Sequence, residues 1–181
     1  MAKFFKCVVL LVCISGFLMN VCAQGYEIKI KISALKDSTL LLGHHFAKEN
    51  MLIPDDTIKL DKKGTGVFKG KKALPGGMYV VFLPTKRYFD VLLDNNQFFS
   101  IESDTSDFLK TVKFTKSPEN ELFYQYQNLI INKSQEARKL VDIKKKSTND
   151  QQKDSLSKTI DKINLEVTGF IKNTIDANPK T

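Results

Sequence analysis

Between Tyr26 and Ile32 polar and apolar residues alternate without a break, Tyr-Glu-Ile-Lys-Ile-Lys-Ile. That is the period-2 pattern of a strand with one buried and one solvated face, and it places Ile28, Ile30 and Ile32 inward together. Lys36-Asp37-Ser38 reads as a turn and Thr39 to Phe46 as a second strand, more deeply buried at its start. Residues 47–56, of mixed polarity with one proline, predict an irregular connection. From Thr57 to Glu102 the chain then predicts an antiparallel meander with strands at 57–60, 66–69, 78–83, 88–93 and 98–102. Its turns are Lys62-Lys63-Gly64, Pro75-Gly76-Gly77, Pro84-Thr85-Lys86-Arg87 and Asp94-Asn95-Asn96, where Gly and Asn tolerate a positive φ and Pro fixes φ. A polar run, 103–107, precedes Phe108-Leu109 and a last alternating stretch, 111–115. About eight strands at this spacing predict an antiparallel β-sandwich or open barrel.

At Ser117-Pro118-Glu119-Asn120-Glu121 the period changes. Ser as N-cap, Pro at the first helical position and acids in the first turn mark a helix start. Leu122, Tyr126, Leu129, Ile130, Ala137, Leu140 and Val141 follow helical spacing, with Phe123 and Ile131 widening the stripe. The polar stretch 144–150 breaks the pattern and supplies caps. A second seam then runs through Leu156, Ile160, Ile163, Val167, Phe170 or Ile171, and Thr174 or Ile175, stopped by Asn178-Pro179. The fold class expected is therefore α+β: a β-sandwich over 24–116 followed by a C-terminal α-helical hairpin over 117–181. The hairpin packs its seams on the sheets or docks them onto something else.

The first residues change the compartment. Lys3 and Lys6, the apolar run from Val8 to Met19 and the small-residue exit Val21-Cys22-Ala23 read as a secretory signal, 1–23, cleaved after Ala23. Cys7, Cys13 and Cys22 all lie inside it, so the mature chain would hold no cysteine, which excludes a disulfide framework, a cysteine zinc site and a thiol nucleophile there. The alternative is a lipoprotein anchored through Cys22, although Val21 is bulky for the residue before an acylated cysteine. Export to the periplasm is the expectation, with membrane contact only if Cys22 is lipidated. The formal charge of +8 falls to +6 once Lys3 and Lys6 are removed, and the bases are interleaved with acids along much of the chain. Clusters occur at Lys62-Lys63, at Lys69, Lys71 and Lys72, and at Lys144-Lys145-Lys146. An exported chain without a base-stacking motif has no expected nucleic-acid partner.

No candidate chemistry stands out. His44 and His45 are the only histidines, and neighbours on a strand face opposite ways, so they are expected to be strand-end imidazoles rather than metal ligands. Asp104 and Asp107 lack the ordered oxygens and closing Glu of a calcium loop. Asp55-Asp56, Asp90 and Asp94 have no motif that pairs them with a base or nucleophile. No catalytic, cofactor-binding or metal residue is therefore expected, and no cofactor.

A family resemblance rests on the order of the export segment, the Tyr26–Ile32 strand, Leu40-Leu41-Leu42, Gly64-Thr65-Gly66-Val67-Phe68-Lys69-Gly70, Pro75-Gly76-Gly77-Met78-Tyr79, and Phe114-Thr115-Lys116-Ser117-Pro118-Glu119-Asn120 opening a helix. Over roughly residues 26–176 it resembles the N-terminal domain of unknown function, with its helical linker, of exported thioredoxin-like thiol-disulfide oxidoreductases of Gram-negative bacteria. The resemblance implies a sandwich-and-helix accessory module that lacks the Cys-x-x-Cys domain and carries over no catalytic residue. The function expected is partner docking, self-association through the hairpin, or positioning of a thioredoxin-like redox domain. The alternative is an envelope module binding a glycan, lipid or peptide, suggested by Tyr79, Phe82, Tyr88, Phe89, Phe98 and Phe99 and by the lysine-rich turns.

Overall fold

A computed structural model describes residues 25–46 and 51–178. Residues 1–24, where the signal segment and the three cysteines are expected, residues 47–50 and the stretch 179–181 lie outside the described residues. The eight strands are β1 (Tyr26–Ile32), β2 (Thr39–Phe46), β3 (Met51–Lys59), β4 (Thr65–Gly70), β5 (Gly77–Phe82), β6 (Tyr88–Leu93), β7 (Phe98–Ser103) and β8 (Lys113–Thr115). They form two four-stranded sheets in the orders β4-β1-β7-β8 and β3-β2-β5-β6. A short helix, α1 (Phe108–Thr111), precedes β8, and two long helices follow: α2 (Pro118–Lys146) and α3 (Asp150–Ala177). The α+β class and the helical pair are as the hydrophobic pattern predicts, and the sheets stack without closing into a barrel.

Between the sheets lies one core. Ile28, Ile30, Ile32 and Phe68 from one sheet meet Leu40, Leu42, Val81, Val91 and Leu93 from the other, all essentially inaccessible to water. Each such side chain contributes about 1.5–3 kcal/mol of burial relative to exposure. Every inward residue of β1 alternates with a half-buried or exposed one, so its pattern is read correctly as a strand with one wet face.

The meander is corrected. Only β2–β3, β5–β6 and β7–β8 join sequence neighbours. The chain passes from one sheet to the other at 33–38, at 60–64, again before β5 and again before β7. Strand β1 takes the centre of its sheet, antiparallel to β4 and parallel to β7. Alternation tells which face of a strand is buried but not which strand lies beside it. At the crossing from β3 to β4, Asp61 Oδ1 accepts the amides of Lys63 (2.7 Å) and Thr65 (2.9 Å), and the Gly64 carbonyl accepts the Ile32 amide at 2.8 Å. Gly64 sits at φ +75, and a Cβ there would lie 2.3 Å from the Ile32 carbonyl oxygen, so only glycine fits without strain.

Two further expectations change. The irregular stretch expected at 47–56 is strand from Met51 onward, despite Pro54. β3 is an edge strand, where a missing amide need not break a ladder. A register shift opposite Leu42 and Gly43 leaves Asp55 as an extra, bulged residue. Secondly, Thr111 and Val112 are not strand: Phe108 to Thr111 make one helical turn whose Phe108 ring packs 5.2 Å from Phe89 and beneath the Arg87 guanidinium at 4.5 Å.

Candidate functional site

The helix start falls where Ser117 and Pro118 predict it, but the serine is not used as expected. Its fully buried hydroxyl donates to Glu119 Oε1 and accepts from Asn120 Nδ2, both at 2.7 Å, instead of capping a backbone amide. Asn120, also fully buried, reaches the outer edge of β6: its Oδ1 accepts the Leu92 amide at 2.7 Å and its Nδ2 donates to the Leu92 carbonyl at 2.8 Å. This amide therefore stands in for a neighbouring strand at one position of the ladder. One turn on, the Tyr124 hydroxyl donates to the Asp90 carbonyl at 3.0 Å. Burial, with the Asp90 carboxylate in range, pushes that phenol far above its ordinary value. A further turn on, Asn128 donates to the Leu109 carbonyl at 2.7 Å. Roughly the first three turns of α2 are thus stapled to the sandwich, and the Tyr124 ring joins its core beside Phe114 at 5.1 Å. Gln97 repeats the device elsewhere, exchanging both hydrogen bonds with the backbone of Leu74.

Beyond Asn128 the helical pair projects from the sandwich. α3 runs back along α2, and among the described residues α2 is the only element against which it packs extensively. Ile163 is buried in their seam, and Lys133 bridges the helices to Glu166 at 2.6 Å. The stripe expected on α2 is corrected at both edges. Tyr126 and Ile131 are exposed, whereas Asn120 and Tyr124 are the buried residues. On α3, Ile175 is exposed and Thr174 half-buried. The turn is only Ser147-Thr148-Asn149, since α2 continues through Lys146 and Asn149 caps α3 by accepting the Gln152 amide at 3.2 Å. Where the pair leaves the sandwich, an open groove of about 780 Å³ is lined by Leu109, Val112, Phe114, Tyr124, Leu129 and Phe170, with Lys110, Lys113 and Glu121 at its rim.

A second cluster surrounds the bulge of β3. Asp55 Oδ2 lies 2.6 Å from His44 Nδ1, and the His44 ring packs 5.6 Å from Tyr79. Asp56 Oδ2 accepts the Tyr26 hydroxyl at 2.8 Å and the Lys69 amide at 3.1 Å, tying β3 to β1 and to the edge strand β4 of the facing sheet. Burial and then the hydrogen bond to Asp56 push the Tyr26 phenol well up, and burial followed by the Asp55 charge raises Tyr79. His44 is thus a paired imidazole rather than a free strand-end one; the side chain of His45 lies outside the described part. Among the described residues, no three His, Cys, Asp or Glu side chains are grouped to hold a metal ion.

The other carboxylates are placed by turns. Asp104 Oδ1 accepts both the amide (2.8 Å) and the hydroxyl of Ser106, and Asp107, at the N-cap position of α1 without a side-chain cap bond, pairs with Lys110 at 3.1 Å. Those hydrogen bonds hold both carboxyls below their ordinary range. Asp90 contributes its carbonyl to Tyr124, and Asp94 its carbonyl to Gln97. Of the aromatics, Tyr79, Phe89 and Phe99 are core, while Tyr88 and Phe98 are exposed and Phe82 stacks on Tyr88 at 6.2 Å.

The stapling residues are hidden in the sequence because a buried amide on an amphipathic helix looks like part of its wet face. One signal was available. Asn120, Tyr124 and Asn128 recur every four residues, a polar stripe on one face of the first turns. The family match ends within that stripe, after Asn120. A family model described as a domain of unknown function, DUF4369, matches residues 26–123, which are all eight strands, α1 and the opening of α2. No curated protein matches the chain. With more than half of its length covered from the first strand to the stapled start of α2, the chain belongs to the family of this domain of unknown function.

Proposed function

We propose that this chain is a non-catalytic exported accessory module, in which the sandwich is a rigid mount and the helical hairpin an arm that docks a protein partner or positions a redox domain. The class of partner comes from the resemblance to the N-terminal part of thioredoxin-like thiol-disulfide oxidoreductases: a thioredoxin-like domain bearing a Cys-x-x-Cys pair. Self-association through the hairpin is the other form of the same reading. The observation that carries it is the division of α2. Its start is locked to β6 and α1 by Asn120, Tyr124 and Asn128, while the rest, with α3, stands clear of the sheets with a half-buried seam. An arm fixed at its root transmits position, which a flexible linker does not. The site of action is the periplasm, with anchoring through Cys22 as the alternative.

The test is to mix the mature protein with the thioredoxin-like domain of an exported oxidoreductase from the same organism and follow the mass by light scattering. A complex, or a dimer of the chain alone, is expected, with amide exchange slowed on α2 and α3. Two monomeric species with unchanged exchange in the hairpin would overturn the reading. A second reading, an envelope module for a glycan, lipid or peptide, is favoured by the groove between α2, β8 and Phe170. A ligand that raises the melting temperature of the wild type but not of a Leu129→Trp variant would establish it.

A further inference from the structure

The arm is electrically polarised along its length. From Arg138 to Lys158, the end that carries the turn, there are seven Lys and Arg against three Asp, a net +4 out of the chain's formal +8. The remainder of the two helices, nearer the sandwich, holds three Lys against six Asp and Glu. Lys144, Lys145 and Lys146 suit the negative end of the α2 dipole. That cannot account for Lys153 and Lys158, which stand in the opening turns of α3, at the positive end of its own dipole. Among the described residues, Lys153 is the only base of this end in an ion pair, with Asp150 at 2.9 Å.

These charges surround a shaped feature. Between the helices near the turn lies an open groove of about 490 Å³ floored by Val141 and Ile160, with Lys144, Lys145 and Lys153 around it and Asp161 at its far side. Among the described residues, Ile143 is the only exposed large apolar one at this end. A membrane-bound helix presents a broad apolar face beneath its bases. Here there is room for one or two apolar side chains inside a ring of ammonium groups. That is the complement of a protein segment carrying an apolar anchor flanked by carboxylates.

We infer that the turn end of the hairpin is the docking site of the arm and that its occupant is an acidic segment of a partner protein, with an apolar side chain seated between Val141 and Ile160. This rests on the reading of the hairpin as a docking arm and adds the place and the chemistry of the contact. Lys144, Lys145 and Lys153 then pair with carboxylates on either side of the anchor, and Asp161 rejects a carboxylate at the far side, which fixes the direction in which the segment lies.

The experiment uses the mature full chain and three probes: a fluorescent Glu/Leu peptide, the matching Glu/Ser peptide without apolar anchors, and vesicles of equal phosphatidylglycerol and phosphatidylcholine. The Glu/Leu peptide is expected to bind at low salt. Its affinity should fall about tenfold or more in the triple variant Lys144→Gln, Lys145→Gln, Lys146→Gln. It should fall comparably in Ser157→Phe, which fills the groove and leaves every charge in place; circular dichroism checks that both variants keep their helices. No binding of the Glu/Leu peptide, equal binding of the Glu/Ser peptide, binding to vesicles alone, or an unaffected Ser157→Phe variant would each overturn the inference. A thioredoxin-like domain that still joins the triple variant in light scattering would overturn this docking site and leave the docking function standing.

Discussion

Asn120 offers the sharpest test of how the arm is mounted. It makes three hydrogen bonds from a position with no exposure to water, two of them to the N–H and C=O of Leu92 and one to Ser117. Asn120→Leu keeps the volume and improves helix propensity, yet it leaves both Leu92 groups facing a methyl group. Each buried orphan costs about 1–3 kcal/mol, so the substitution should destabilise by about 2–5 kcal/mol, a large part of the stability of a domain this size. Asn120→Ala opens a space that water can enter to bridge the same groups, and the loss should shrink to about 1–2 kcal/mol. The order is the informative part: the larger, more apolar residue does more damage. Urea unfolding followed by circular dichroism, and by tyrosine emission since the chain has no tryptophan, would measure both. Amide exchange at Leu92 locates the effect, because its N–H has Asn120 as acceptor and should exchange faster in both variants. An Asn120→Leu loss below about 1 kcal/mol, or unaltered exchange at Leu92, would refute the claim that this amide completes the sheet edge.

Other outcomes follow from the same structure. Gly64→Ala should destabilise by about 1–3 kcal/mol in urea unfolding, since φ +75 and the Ile32 carbonyl both oppose a Cβ. Tyr26 and Tyr124 have folded-state pKa values raised above their ordinary value, so the stability they confer is complete below pH about 10 and is lost as pH rises above it. Unfolding measured across that alkaline range should show a decline that Tyr26→Phe and Tyr124→Phe each reduce, whereas an unchanged slope would count against both. Lys133→Ala removes a bridge to Glu166 that is open to solvent, and its melting temperature should stay within the spread of ordinary surface substitutions.

The residues that form elements were legible in the chain, and the relations between elements were not. Ile28, Ile30 and Ile32 announce a strand through alternation, and Ser117-Pro118 announces a helix through backbone chemistry, because both signals are local. Nothing local says that β1 lies between β4 and β7, since either neighbour buries the same face. Pro54 concealed a strand because its cost vanishes at an edge, a property of the sheet and not of the residue. The His44–Asp55 pair depends on a bulge that turns an extra residue toward β2, so its two members, eleven positions apart, carry no spacing that links them. At the root of the arm, Asn120 and Tyr124 follow a four-residue rhythm that could have been read. The charge polarity of the hairpin was open to counting from the start, but it acquires meaning only once the two helices are known to lie side by side.

That side-by-side path makes the arm a detour in the chain. Leu129 on the way out and Phe170 on the way back line the same groove, so the chain leaves the sandwich and returns to it at one place. The sandwich therefore does not register how far the excursion runs. Removing seven residues from each helix would keep the seam in phase and shorten the reach by about 10 Å, without moving the root. Reach and docking chemistry become separable variables: a shortened arm with its lysines intact would bind the same acidic segment but hold whatever bears it at a different distance from the mount.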